Sequence, residues 1–441
     1  MEEKNIKFFY CNNNTYAFFC DNLEIVKCTE INDKNTLIKF ANRHRNPTYT
    51  IKDCTFSIDK IKTVSINLVN GCNLNCSYCF ISAYQRLHQL LSFEQFEKIV
   101  SFFASSERDS INFYFSGGGE PLLNFKLMQQ IPSICSSKHL KTDYIELNTN
   151  GTLITNKTAV FFKQNNWAVN VSVDGDETSH DQNRKYKNGS GSFKDALRGV
   201  DYLQKNSVNF ACKTVITPNN TNTIKTFNFF KEKAFPFMFD ISTPSVTGHY
   251  KPLINDLNNF DMVFSSITDS YISDIQNNNK IYNLKIMIDL KKIHYKSVRY
   301  FGCGACKNSL HTDINGKFYT CAYMSHNETY SIGDIYQGIA FEKATRNDWF
   351  AKYVGHYDRC KNCWLRHLCG GACFALKWLV HNNTYFPYEY LCKYYDIYWS
   401  NIIRLYISTY NQITDEANIN TIINCHTPLS PCRCTEEFPA K

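Results

Sequence analysis

The hydrophobic pattern changes character twice along the chain. Residues 1 to about 60 hold short apolar runs separated by Asn/Asp-rich turns, which predicts three strands and a short helix near residues 36–42. From about residue 63, strand-like apolar runs alternate with amphipathic helical segments. The six predicted strands cover residues 64–69, 111–116, 144–148, 168–173, 208–216 and 237–242. Six such units in a row predict an α/β fold whose parallel sheet curls into a partial or complete barrel.

The first crossover helix has the clearest start signal. Ser92, followed three residues later by Gln95, matches a capping box. The apolar residues that then recur at helical spacing are Phe93, Phe96, Ile99, Val100 and Phe103. This pattern predicts a helix that begins at residue 93.

Closely spaced cysteines replace the β/α pattern from about residue 303 to Cys392, which predicts a local fold organised by metal. An aromatic helix is predicted over residues 394–406, and the polar tail from about residue 415 is expected to be poorly ordered. We therefore expect a β-rich extension over 1–62, a barrel over 63–300, a cysteine-rich domain over 301–410 and a tail over 411–441.

Composition narrows the function classes. The chain has 441 residues and a net charge of +8 with no basic block, so charge gives no support for nucleic-acid binding. Its acidic first residues do not resemble a signal peptide, and no run of 18 apolar residues is present. We expect a cytoplasmic protein with no membrane partner.

The 20 cysteines indicate metal binding, because reducing cytosol does not preserve structural disulfides. Cys72, Cys76 and Cys79 share one loop after the first predicted strand, with C-x3-C-x2-C spacing. Three thiolates on a tight loop can hold three irons of a 4Fe-4S cluster and leave the fourth iron open to a small molecule. A zinc site, which needs a fourth ligand, and simple buried cysteines are the alternatives.

This motif resembles that of radical S-adenosylmethionine (SAM) enzymes, and the resemblance covers about residues 63–395. It implies a partial (β/α)6 TIM-like barrel with the cluster at the carboxyl end of the sheet. It also implies reductive cleavage of SAM to methionine and a 5'-deoxyadenosyl radical that takes a hydrogen atom from the substrate, with a flavodoxin or ferredoxin type electron donor.

Two further segments fit the same resemblance. Gly118, Gly119, Glu120 and Pro121 follow the second strand and resemble the GGEP element that holds the methionine amino group. Ser172 and Arg184 are, by the same resemblance, candidates for the methionine carboxylate. From the residues alone, the glycines also fit a simple turn. Ser172 also fits the cap of a turn, and Arg184 also fits a surface position.

The later cysteines resemble the SPASM extension, which binds two auxiliary 4Fe-4S clusters in peptide- and protein-modifying members of the family. That resemblance assigns Cys360, Cys363, Cys369 and Cys392 to one cluster and Cys321 with Cys373 to the other. Cys303 and Cys306 fit the remaining position equally well, so one or both ligate. Three 4Fe-4S clusters are therefore implied, with a pair of zinc knuckles as the alternative.

Two functions within this family, and one outside it, fit the sequence. Anaerobic sulfatase-maturating enzymes carry a catalytic Asp directly after the cysteine of the Gly-x4-Cys element, whereas this chain has Ala322 there, and neither Tyr323 nor His326 is supported as a substitute. We therefore favour a maturase that crosslinks a ribosomally made precursor peptide, most simply through a Cys thioether. Its N-terminal extension could bind a leader peptide as an added strand. A non-catalytic metal-binding scaffold is the third interpretation, and it lies outside this family.

Overall fold

The structure is a computed structural model that describes residues 5–31, 34–42, 58–82, 88–105, 110–218 and 223–413. The predicted disorder of the tail, with its three cysteines, falls outside these residues. The strands are β1 Ile6–Cys11, β2 Asn14–Phe19, β3 Glu24–Lys27, β4 Thr63–Ile66, β5 Val69–Asn70, β6 Gln89–Leu90, β7 Asn112–Phe115, β8 Ile145–Thr149, β9 Ala168–Ser172, β10 Phe210–Ile216, β11 Phe237–Ile241, β12 Ser309–Thr312, β13 Lys317–Tyr319, β14 Gly333–Asp334 and β15 Gly338–Ile339.

Helices alternate with these strands through the barrel and then dominate the C-terminal part. They are α1 Lys34–Asn42, α2 Phe93–Ala104, α3 Phe125–Met128, α4 Ile131–Ser137, α5 Asn156–Gln164, α6 Glu177–Asn183, α7 Phe193–Lys205, α8 Thr223–Glu232, α9 Phe260–Gln276, α10 Leu284–His294, α11 Phe341–Arg346, α12 Asp358–Lys361, α13 Arg366–Cys369, α14 Phe374–His381, α15 Glu389–Ser408 and α16 Tyr410–Ile413. None of the helices within the described ranges is both long and apolar enough to cross a bilayer.

The main sheet confirms the predicted α/β fold. Its order is β11-β10-β9-β8-β7-β4-β12-β13-β14-β15, and all pairs from β11 to β12 are parallel. Each of the six predicted strands is present. An additional strand, β12, comes from the cysteine-rich segment and pairs in parallel with β4, so this segment is part of the barrel sheet.

The signal at the start of α2 is confirmed. The Ser92 hydroxyl accepts a hydrogen bond from the Gln95 backbone N–H at 3.1 Å, and the Gln95 side chain accepts one from the Ser92 backbone N–H at 3.3 Å. The apolar face formed by Phe96, Ile99, Val100 and Phe103 is buried. Phe93, by contrast, is 48% exposed. The helix therefore packs through the apolar face that the sequence periodicity predicts.

The N-terminal strands form the predicted antiparallel meander, in the order β1-β2-β3. This small sheet packs on the cysteine-rich segment. The ring of Trp364 lies 5.8 Å from that of Phe9 and 5.9 Å from that of Phe18. Arg366 forms an ion pair with Asp21 at 2.5 Å. The extension is therefore attached to the C-terminal part of the molecule, through contacts that sequence periodicity does not report.

Candidate active site

A cavity of about 530 Å³ lies at the carboxyl ends of the barrel strands. It brings together residues that are distant in sequence, which is the usual arrangement of a barrel active site. The predicted site residues that line it are Cys72, Cys76, Cys79, Gly119, Glu120, Ser172, Arg184 and Cys373. Gly118 and Pro121 are buried beside it and do not line it.

The three-cysteine loop presents its thiols to hydrogen-bond donors. The Leu74 backbone N–H lies 3.5 Å from the Cys72 sulfur, the Asn150 amide lies 3.8 Å from the same sulfur, and an Arg184 guanidinium nitrogen lies 3.8 Å from the Cys76 sulfur. Burial raises the pKa of Cys72 to about 12 and that of Cys76 to about 11. The Cys72 and Cys76 thiols therefore stay protonated at neutral pH unless a bound metal stabilises the thiolates. This donor set fits an iron–sulfur cluster.

Two glycines bring the GGEP loop against the cysteine loop. A Cβ on Gly119 would lie 1.8 Å from the Gly71 carbonyl oxygen, and one on Gly118 would lie 2.3 Å from that of Val69. Any side chain at either position would push the two loops apart. These glycines therefore hold the two loops together at the rim of the cavity, a role that the sequence did not distinguish from a simple turn.

Glu120 is buried and accepts three hydrogen bonds. Its donors are the Leu122 N–H at 3.1 Å, the Thr149 hydroxyl at 2.6 Å and the Asn150 N–H at 2.7 Å. Burial raises the pKa of Glu120 to about 7, against the effect of these donors. The carboxylate thus organises the loop after β8, and it lies where a cationic ammonium group would favour its ionised form.

Arg184 is buried, which contradicts the surface alternative. Its Nε donates to Asp174 Oδ2 at 3.0 Å, and the guanidinium lies 5.4 Å from the centre of the Tyr78 ring. Asp174 also accepts from the Tyr78 hydroxyl at 2.5 Å and from the Val215 N–H at 2.9 Å. Ser172 lines the cavity at the end of β9, and Asp176 is the cap of α6. Both predicted carboxylate-binding residues therefore face the cavity.

Lys213 and Asp240 are polar lining residues that were not found from the sequence, whereas Tyr323 was considered there only as a substitute base. Lys213 donates to Asn148 Oδ1 at 2.9 Å, and the Tyr323 hydroxyl lies 2.6 Å from that of Thr243. Asp240 also lines the cavity, on β11. Lys213 and Asp240 interrupt apolar strands at inward positions, a period-two signal that the sequence does contain. His326, in contrast, does not line the cavity.

The cysteines of one predicted auxiliary cluster surround a second cavity, of about 250 Å³. Its lining includes Cys360, Cys363, Cys369 and Cys392. Burial, and then the charge of Cys392, raise the pKa of Cys369 to about 12. These four thiols form a set that fits a second cluster. No three His, Cys, Asp or Glu side chains of the described residues form a group suited to a single metal ion.

The other predicted auxiliary cluster involves Cys321, Cys373 and one or both of Cys303 and Cys306. Burial, and then the charge of Cys321, raise the pKa of Cys306. Burial also raises the pKa of Tyr323, and the charges of Cys373 and Cys321 add to this shift. Cys306 therefore interacts electrostatically with Cys321, and both Cys321 and Cys373 do so with Tyr323. Cys303 is half-buried, and its charge contributes to the pKa of Tyr357.

Replacing Cys306 is expected to remove iron. After anaerobic reconstitution, Cys306→Ser should lose about one of three clusters' worth of iron, because a thiolate beside Cys321 is lost. An equal loss of iron in Cys303→Ser would identify both thiols as ligands. Full iron content in that variant would mean that, of the two, Cys306 is the ligand. Cys135→Ser, at a buried cysteine outside both groups, is the control. Full iron content in Cys306→Ser would contradict the assignment of Cys306.

Comparisons with known proteins agree with this geometry. Residues 66–230 match the family model of the Radical SAM superfamily. The chain is 26% identical over 365 residues to the serine-type anaerobic sulfatase-maturating enzyme of Bacteroides thetaiotaomicron, covering 75% of this chain and 86% of that one. It is 24% identical over 387 residues to the radical SAM cyclopropyl synthase TigE of Paramaledivibacter caminithermalis, covering 81% of this chain and 77% of that one.

Among solved structures, native anSMEcpe with bound AdoMet and Cp18Cys peptide matches with a TM-score of 0.65 and 24% identity, over 79% of this chain and 99% of that chain. At this identity the match establishes the fold alone. Residues 66–230 therefore match a radical SAM domain, and the chain has a fold similar to that of the solved anSMEcpe structure. The family binds SAM and a 4Fe-4S cluster.

Proposed function

We propose that this protein is a radical SAM/SPASM maturase that installs an intramolecular crosslink, a Cys thioether, in a ribosomally synthesised precursor peptide. In this proposal Cys72, Cys76 and Cys79 hold the cluster that binds SAM. Glu120, Ser172 and Arg184 orient the methionine part of SAM, and the remaining cysteine groups hold two auxiliary clusters. A flavodoxin or ferredoxin type protein supplies the electron.

One observation carries the proposal: Cys373 lines the same cavity as the three-cysteine loop. A substrate in this cavity would lie between the proposed site of radical formation and an auxiliary thiol. Crosslinking needs both, because a substrate radical must form and one electron must then leave. The bound cofactors would supply the 5'-deoxyadenosyl radical and the electron acceptor, while the cavity residues hold the peptide and exclude water.

Anaerobic sulfatase maturation is the second candidate, and the comparison with the Bacteroides enzyme favours it. The position at which that family carries its base is Ala322. A Cβ on Gly117, which lines the cavity, would lie 2.8 Å from the Ala322 methyl group. Ala322 thus lies directly behind the cavity wall, and its methyl group cannot accept a proton.

Mass spectrometry of the reaction product separates the two functions. The reconstituted enzyme, SAM and a reductant would be incubated with Cys-containing peptides encoded beside its gene, and separately with sulfatase-derived peptides that contain Cys or Ser. We expect 5'-deoxyadenosine and a product of the first peptides that is lighter by two hydrogen atoms per crosslink, with no free thiol at the linked Cys. Efficient formylglycine formation in the sulfatase peptides, without crosslinking of the first, would contradict the proposal.

The exposed face of β1 is the proposed contact for the leader part of the peptide. Phe8 is 59% and Tyr10 73% exposed, and among the described residues β1 pairs only with β2, so its other edge can accept a strand. Deleting the whole extension would uncover Trp364 and Arg366, so point variants make a cleaner test.

Replacing both aromatic residues, Phe8→Ser with Tyr10→Ser, is expected to weaken binding of the full-length precursor peptides by about tenfold, because apolar contact area is lost. Cleavage of SAM should be unchanged, since β1 lies outside the cavity. Phe93→Ser, at a similarly exposed phenylalanine on α2, is the matched control. Unchanged affinity in the double variant, measured by fluorescence anisotropy, would refute the role of β1.

A further inference from the structure

We propose that Lys377 supplies a positive charge to the second cavity and thereby raises the reduction potential of the auxiliary cluster held there. The residue would act through the cluster and not on the peptide itself. The inference rests on the proposed function in one respect, which is that the cysteines around this cavity hold a 4Fe-4S cluster. These cysteines are Cys360, Cys363, Cys369 and Cys392.

Lys377 lies in the wall between the main cavity and the second cavity. Only 1% of its surface is exposed, and it lines the second cavity together with the four cysteines. Its neighbour Leu376 lines the main cavity, as does Cys373, which directly precedes α14. Tyr395 lines both cavities. The start of α14 and Tyr395 therefore separate the proposed site of the peptide from the second cavity.

The ammonium group of Lys377 rests on the face of an aromatic ring. Its Nζ lies 3.5 Å from the centre of the buried Tyr357 ring, which stabilises a cation through its π electrons. A Cβ on Gly371 would lie 3.0 Å from a carbon of this ring, so the ring packs tightly against the backbone there. The Tyr357 carbonyl accepts a hydrogen bond from the Cys360 N–H at 2.9 Å. Tyr357 thus fixes the ammonium beside the first cysteine of the set.

Within the described part of the chain, Lys377 forms no ion pair with a carboxylate. The other charged residues that line this cavity have polar partners, which are Asp21 for Arg366, Glu389 for Arg359 and Trp364 for Asp396. A buried ammonium without a counter-ion is costly. An anionic group in the second cavity would offset this cost, so the lysine itself indicates an anionic occupant.

An iron–sulfur cluster with four thiolate ligands is such an anion, and it becomes more negative by one charge when it is reduced. The Lys377 ammonium therefore stabilises the reduced form more than the oxidised form, because the attraction grows with the charge of the cluster. Burial lowers the pKa of Lys377, while the charges of the nearby cysteines act in the opposite direction, so thiolates in the cavity favour the charged lysine. Since net charge sets the potential of such clusters, the lysine raises it.

A raised potential suits a cluster that accepts an electron from the main cavity. In the proposed crosslinking, the peptide radical loses one electron when the product forms, and an oxidised auxiliary cluster gains that electron. No bond to Lys377 forms or breaks in this step, and its proton stays in place. The lysine therefore favours the passage of the electron across the wall that Leu376 and Tyr395 form.

The test measures midpoint potentials in full-length reconstituted protein by redox titration with electron paramagnetic resonance. Cys72, Cys76 and Cys79 are replaced by alanine, so the signals come from the auxiliary clusters, and the signal that changes in Cys392→Ser identifies the cluster of the second cavity. Lys377→Met keeps the length of the side chain and removes its charge. At a fixed potential, the reduced-to-oxidised ratio of this cluster should fall about tenfold, a shift of about 59 mV for a one-electron couple. Lys377→Arg keeps the charge and should retain most of the potential.

Lys361→Met is the matched control. Lys361 follows Cys360 directly, but it is exposed and pairs with Asp358 at 2.6 Å, so water and the carboxylate screen its charge. Its replacement should leave the potential unchanged.

Two results would overturn the role of Lys377 while leaving the cluster assignment intact. One is an unchanged potential in Lys377→Met at full iron content. The other is an equal loss of iron in Lys377→Met and Lys377→Arg, which would show that the lysine only holds the site together. Full iron content and unchanged signals in Cys392→Ser would instead refute the cluster assignment of the proposed function, and the inference with it.

Discussion

An enzyme in which Cys72, Cys76 and Cys79 are all replaced by alanine is expected to release no 5'-deoxyadenosine. The three thiols line the main cavity, and burial makes Cys72 and Cys76 poor thiolates without a metal. Without them no cluster can bind there, and SAM has no source of an electron in the cavity. About two-thirds of the iron should remain, because the auxiliary cysteines are untouched.

Iron and acid-labile sulfide analysis, together with chromatography of the reaction mixture, would measure both effects. Cys28→Ala, at a half-buried cysteine in neither group, is the control and should keep full iron and full SAM cleavage. Zinc in place of iron in the unmodified protein would contradict the cluster assignments. Unchanged iron content in the triple variant would show that the three-cysteine loop does not bind iron.

Local patterns predicted the elements of this fold well. The six barrel strands and the cap of α2 depend on short-range alternation and capping, which a sequence displays directly. The Cys360, Cys363, Cys369 and Cys392 set was predicted by family resemblance, and the structure places these residues around one cavity. The strands and the cap follow from local spacing, whereas the cysteine set follows from the family resemblance.

Contacts between distant segments could not be predicted in the same way. Strand β12 has the sequence Ser-Leu-His-Thr, which has no strong apolar run, yet all four residues are buried beside β4. The docking of the N-terminal sheet on Trp364 likewise depends on tertiary packing. The roles of Gly118 and Gly119 became clear only when the loop that they approach was in place.

Arg184 combines a structural and a proposed cofactor-binding role, and its ion pair with Asp174 allows the two to be separated. Arg184→Met should lower the free energy of unfolding by about 3–5 kcal/mol, because it leaves the Asp174 carboxylate buried without its charge partner. Arg184→Met combined with Asp174→Asn should recover much of that loss, since the uncompensated charge is removed. Denaturant unfolding of both variants would measure the difference.

Unlike the free energy of unfolding, the affinity for SAM should not recover in the double variant. The guanidinium is proposed to donate to the methionine carboxylate, and loss of such a charge-assisted bond should weaken SAM binding by about tenfold to a hundredfold in both variants. Anaerobic calorimetric titration of protein matched for iron content would measure this affinity, with Arg184→Lys recovering only part of it because lysine lacks the planar fork. If the double variant regained both stability and normal SAM affinity, Arg184 would act only by neutralising Asp174, and the methionine carboxylate would need another partner in the cavity.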